Sequence, residues 1–103
     1  MIVVRFKVQC QPERTEEALA AFAAVVPPSR RTDGVISFDV ARDVIDSNSI
    51  IAVEVFEDEG ARQRQESLPE VATVMNLLPE ALAAPPEATV FEVASSADAF
   101  APA

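Results

Sequence analysis

Any proton transfer by this protein has to use carboxylates, a thiol or polarised water, because its 103 residues include no histidine, tyrosine or tryptophan. A general base must also sit in a pocket with a pKa near the working pH. No catalytic residue is assigned from the sequence alone, and Glu54 and Gln65 are the candidates to be weighed. Glu54 lies in an alternating run and reads either as one half of a structural ion pair or as an acid–base group, since both settings perturb a pKa. Gln65 can hydrogen-bond a ligand oxygen, but its amide cannot accept a proton as an imidazole does; a plain surface position is the alternative. Cys10 ends an alternating run on its apolar side, where a free cysteine usually behaves as a small hydrophobe. Asp43, Asp46 and Asn48 share one loop without the spacing of a calcium site, and Asx residues form turns for backbone reasons. Zinc patterns, phosphate-cradling glycine loops and Ser-His-Asp sets are absent from the sequence, so neither metal nor cofactor is expected.

Period and punctuation define the elements that position these residues. Ile2–Cys10 alternates with β-branched residues and predicts a strand ended by Gln11-Pro12. From Glu13 to Val26 the apolar residues Ala18, Leu19, Phe22, Ala23 and Val26 recur at helical spacing, behind an acidic first turn that suits the helix dipole. Pro27-Pro28 predicts an end or a sharp kink, with a short continuation before Asp33-Gly34. Val35–Arg42 and Ile50–Phe56 predict a hairpin around the polar turn 43–49. Asp58–Glu66 predicts a short polar helix capped by Asp58. A further helix starts at Pro69, with Val71, Met75, Leu78 and Leu82 as its stripe beside Val74, a kink at Pro79 and an end at Pro85-Pro86. Ala88–Ser95 predicts the last strand. The organisation is therefore one α+β domain over 1–95 in βαββαβ order, with a loose tail at 96–103.

Sorting the strands by parity gives two faces. The first is almost wholly apolar, with Val4, Phe6, Val8, Ile36, Phe38, Val40, Ile51, Val53, Val55, Phe91 and Val93, and is expected to lie under the helices. The second is mixed. It carries Val3, Arg5, Lys7, Ser37, Asp39, Ile50, Glu54, Phe56, Val90 and Glu92, more apolar than a face left to water would be. This second face is expected to meet the sheet of another copy, with Arg5 and Lys7 pairing Asp39, Glu54 or Glu92. An ordinary solvated face is the alternative. Phe6, Phe22, Phe38, Val71 and Met75, together with Gln65, are candidate lining residues for an apolar ligand, although they serve equally as core.

The net charge of −9 argues against nucleic acid and anionic membranes as partners. One cysteine gives no reason to invoke an oxidising compartment. Neither a signal-peptide pattern nor an apolar run of membrane-spanning length is present, so the expected location is the cytoplasm. For so small a domain, self-association would add to a modest core.

The order and spacing of several stretches resemble the antibiotic-biosynthesis-monooxygenase-like family of dimeric ferredoxin-like α+β barrels. The stretches are Phe6-Lys7-Val8 with Pro12 and the acidic helix start, Ser29-Arg30 leading to 33–40 (DGVISFDV), 53–58 (VEVFED), and Pro85-Pro86-Glu87 before 90–93 (VFEV). The resemblance implies a four-stranded antiparallel sheet, a homodimer whose two sheets face one another, and a pocket between sheet and helices in each subunit. Some members of that family oxidise polycyclic phenols or anthrones with O₂ and without metal, flavin or haem. The substrate supplies the electrons while the protein deprotonates and positions it. Glu54 matches the family's strand-three glutamate. This chain departs from the family in having Phe38 for a frequent tyrosine, Phe56 for a frequent tryptophan, and Gln65 and Glu70 for two histidines. Arg5, Gln65 and Met75 stand where haem-degrading relatives carry asparagine, tryptophan and histidine, which argues against haem degradation.

The function expected from the resemblance is cofactor-independent monooxygenation of an aromatic or quinol-like molecule. The alternatives are a non-catalytic dimeric module that binds a small molecule or a protein, and an isomerase or lyase of the same fold using a carboxylate base.

Overall fold

The alternating run at the N-terminus becomes the strand that organises everything else. In the computed structural model, which describes residues 1–102, this first strand, β1 (Ile2–Gln9), lies inside the sheet. β3 (Ser49–Phe56) flanks it on one side and β4 (Glu87–Glu92) on the other, and β2 (Val35–Arg42) pairs with β3. The order β2-β3-β1-β4 is antiparallel throughout. Three helices, α1 (Thr15–Arg30), α2 (Glu59–Glu66) and α3 (Pro69–Ala81), complete a ferredoxin-like α+β fold.

Local signals account for most boundaries. Asp58 caps α2 by accepting a hydrogen bond from the Ala61 N–H at 2.8 Å. Pro69 opens α3 at a position where its missing N–H has no intrahelical role. Pro12–Arg14 forms a 3₁₀ turn, so α1 begins two residues later than its acidic pattern predicts. The same helix runs through Pro27-Pro28 instead of ending there. A proline removes one backbone donor, yet the last turn is still closed by Arg31 N–H to the Pro27 carbonyl and Thr32 Oγ1 to the Pro28 carbonyl. Gly34, at φ +87°, then turns the chain into β2, a conformation that a side chain resists.

Strand register corrects the expected faces. Val4 pairs with Glu54 and Val90, Phe6 with Ala52 and Ala88, and Ile2 with Phe56 and Glu92. Residues directly opposite in a ladder share a face. Ile50, Glu54, Phe56, Val90 and Glu92 therefore lie on the helix side with Val4, Phe6 and Val8, not on the open face expected for them. Conversely, Ile51, Val53, Val55 and Phe91 lie on the open face with Val3, Arg5, Lys7 and Asp39. Ile36, expected beside Phe38, sits at a bulge between Val35 and Ser37 and is 52% exposed. The physical reason is that β3 is apolar on both faces. Alternation then defines two sets but does not say which one meets the helices.

The core fills the space between α1, α3 and the helix side of β1–β3, where Val8, Phe22, Phe38, Ile50 and Leu78 are buried together. Phe56 and Ala61 are completely buried with Val4 at the α2 end. All six residues of β4 are exposed, because the helical layer does not reach that edge of the sheet. Of the tail expected at 96–103, residues 96–102 hold a turn in which Ala101 N–H meets the Asp98 carbonyl at 3.2 Å, and Phe100 is 96% exposed.

Candidate functional site

The missing helical cover over β4 leaves a cavity of about 430 Å³ between the sheet, α1, α2 and α3. Its volume falls in the range of small-molecule sites. The structure brings all six expected lining residues around it: Phe6 from β1, Phe22 from α1, Phe38 from β2, Gln65 from α2, and Val71 and Met75 from α3. Each arrives by a simple route. Phe6 and Phe38 have the helix-side parity of their strands, and Phe22 stands against Phe6 with ring centroids 6.2 Å apart. Val71 and Met75 are four residues apart on one helix face, with Met75 half exposed at the rim.

Glu54 is the catalytic candidate that sequence parity misplaced. It lines this cavity, near Arg62 and Glu66 of α2. Loss of solvation pushes its carboxyl up from 4.5 to about 7, an effect that Glu66 reinforces and Arg62 opposes. A carboxylate so tuned is a competent base and a competent acid at neutral pH. Arg62 is held by Glu66 (Nε–Oε1 2.9 Å) and by Glu59 (3.5 Å), so its charge is spent largely within α2. The signal for Glu54 was present in the sequence as the one charged residue in a strand whose residues 50–56 are otherwise apolar. A local rule broken inside an element is a common mark of a functional position.

Gln65 is buried, and its side-chain amide donates to Ser29 Oγ at 3.0 Å, which fixes α2 against α1 while the residue still borders the cavity. Cys10 is buried at the far end of β1, outside the cavity lining, and burial pushes its thiol up, away from the reactive thiolate. Asp43 and Asp46 act on their own loop. Asp43 accepts from Ile45 N–H at 2.8 Å, and Asp46 accepts from Asn48 N–H at 3.0 Å and Ser49 Oγ at 2.7 Å. Of the two cations expected to bridge copies, Lys7 pairs with Asp43 at 3.4 Å within the chain and Arg5 is exposed on the open face; Asp39, one of their expected partners, is taken by Arg30 at 3.0 Å. Among the described residues, no helix is long and apolar enough to cross a membrane.

A family model for antibiotic biosynthesis monooxygenases matches residues 1–77. The chain belongs to the antibiotic biosynthesis monooxygenase family. Its matched region runs from β1 through most of α3 and so contains nearly all of the cavity's walls. The Synechocystis protein sll1783, itself uncharacterized, is 27% identical over 95 residues, which is 92% of this chain and 65% of that protein's length. Among solved structures, Rv0793 from Mycobacterium tuberculosis is 20% identical with a TM-score of 0.85, covering 94% of this chain and 98% of that one. A structure named antibiotic biosynthesis monooxygenase superposes with a TM-score of 0.82 at 15% identity, covering 92% and 100% respectively. At such identities these structures establish the fold, and the family assignment rests on the matched region.

Proposed function

We propose that the protein is a cofactor-independent monooxygenase that oxidises an aromatic or quinol-like small molecule with O₂, using Glu54 as the base. The observation that carries this reading is a carboxyl group with a pKa of about 7 facing an apolar cavity in a member of a monooxygenase family. The apolar walls hold a polycyclic ring by burial, and Glu54 takes a proton from its activated C–H or O–H. For a methylene substrate, the electron pair left on carbon forms a bond to O₂, and protonation gives a hydroperoxide. Loss of water then leaves a carbonyl. The balance is R₂CH₂ + O₂ giving R₂C=O + H₂O, with the substrate as reductant. Glu54 returns its proton within the cycle, which a pKa near neutrality permits in both directions.

The protein is further proposed to act as a homodimer through the open face of the sheet. Val3, Ile51, Val53, Val55 and Phe91 form an apolar surface there, and contiguous apolar patches on a small domain mark contact sites. A second catalytic reading, an isomerase or lyase, is favoured by the same glutamate, since proton abstraction next to a carbonyl needs nothing more. Incubation of anthrones and polycyclic phenols under ¹⁸O₂ decides between the two. Label in the product, lost in Glu54→Gln, supports oxygenation. A rearranged product without label supports isomerisation, and binding with no product supports a non-catalytic module.

A further inference from the structure

Among the described residues, three charged ones line the cavity: Glu54, Arg62 and Glu66. The only cation among them is already engaged. Arg62 Nε lies 2.9 Å from Glu66 Oε1, and its guanidinium also lies 3.5 Å from Glu59 Oε2. These two carboxylates stand one turn before and one turn after it on α2, so a single helical face closes the clamp. Two negative charges around one positive charge leave the rim with an excess of one, before Glu54 is counted. The sign of the whole chain, −9, is the same. An incoming carboxylate would therefore meet repulsion, and the charge of the guanidinium that could receive it is already offset by Glu59 and Glu66. A neutral hydroxyl or activated C–H meets no such barrier and can donate to Glu54.

We infer that the cavity selects neutral, proton-donating aromatic ligands and rejects anionic ones, and that Glu59 and Glu66 set this selectivity by keeping Arg62 engaged. The inference rests on the proposal that this cavity is the ligand site, and it adds the charge state of the ligand. It makes Glu66 a specificity-determining residue at the mouth. Arg62 becomes a latent anion site whose charge the native sequence offsets.

The test compares two probes with one ring system, 2-naphthol and 2-naphthoate, by calorimetry at neutral pH on the full chain. Wild type is expected to bind the naphthol at least about tenfold more tightly. In Glu59→Gln/Glu66→Gln the ratio should fall toward one through tighter naphthoate binding. Adding Arg62→Gln to that variant should restore the discrimination. Ion pairs as exposed as these contribute little to stability, so the variants should fold, and thermal unfolding without ligand checks that they do. Wild type binding naphthoate equally well, or a ratio unmoved in the double variant, would overturn the inference and leave the cavity standing as a ligand site. Tolerance of naphthoate that persists after Arg62→Gln would overturn the role given to Arg62. Binding of neither probe would remove both this inference and the ligand-site proposal beneath it.

Discussion

Replacing Glu54 by glutamine should stabilise the protein, and increasingly so as the pH rises above about 4.5. In the folded state the carboxyl titrates near 7, against 4.5 as its ordinary value. Below pH 4.5 both states hold the proton and the residue contributes no difference. Between 4.5 and 7 the unfolded chain has ionised while the folded chain has not, so the unfolded state binds fewer protons and stability falls as pH rises. Above 7 the folded protein must carry a desolvated carboxylate, and the loss is complete. A displacement of this size corresponds to at most about 3 kcal/mol, at roughly 1.4 kcal/mol per pKa unit. Glutamine has no charge to desolvate. The stability difference between Glu54→Gln and wild type should therefore grow by up to about 3 kcal/mol from pH 4 to pH 8.5. A partly unsatisfied amide would add a constant offset and no slope. Urea unfolding at half-unit pH intervals reads this directly. A difference that stays flat across the window from 4.5 to 7 would refute the placement of Glu54 in a desolvated cavity.

Other expectations separate the core from the cavity and its rim. Phe56→Ala, at a fully buried position, should lower stability by about 3–5 kcal/mol in chemical unfolding, whereas Met75→Ala, half exposed at the rim, should change it by less than about 1 kcal/mol. Gly34→Ala must adopt φ +87° and place its Cβ 2.6 Å from that of Ala61, so a loss of about 2–4 kcal/mol is expected in the same assay. Asp58→Ala removes the cap of α2 and should cost about 1 kcal/mol, with Asp58→Asn close to neutral. Val53→Glu, on the open face, should shift a dimer to monomer in analytical ultracentrifugation without lowering helix content; an unchanged mass would count against the proposed sheet-on-sheet contact.

The elements were legible because they depend on local rules. The β1 alternation, the Asp58 cap, Pro69 and Asp33-Gly34 each act within a few residues, and the structure places a strand, two helix starts and a turn where they predict them. The helix through Pro27-Pro28 escaped because a missing donor is tolerated in a last turn that neighbouring groups close. The five apolar lining residues could be gathered because helix periodicity and the parity of β1 and β2 both point them inward, and Gln65 joined them through its place on the short helix, where the resembling family carries a histidine. Glu54 could not be placed with them. Its face depends on the pairing of β3 with β1, a long-range register that a strand apolar on both sides does not encode. Once paired, Ile50, Ala52 and Phe56 pack beneath the helices, and Glu54 becomes the polar exception that opens onto the cavity.

Oxygen consumption measured against pH, with an anthrone as substrate, tests the central claim most directly. The wild-type rate should rise through a midpoint near 7 as Glu54 ionises, and Glu54→Gln should lose the activity by at least about a hundredfold, the usual contribution of a positioned base. Equal oxygen uptake by the two proteins, or a wild-type rate independent of pH between 5 and 8, would contradict the assignment of Glu54 as the base.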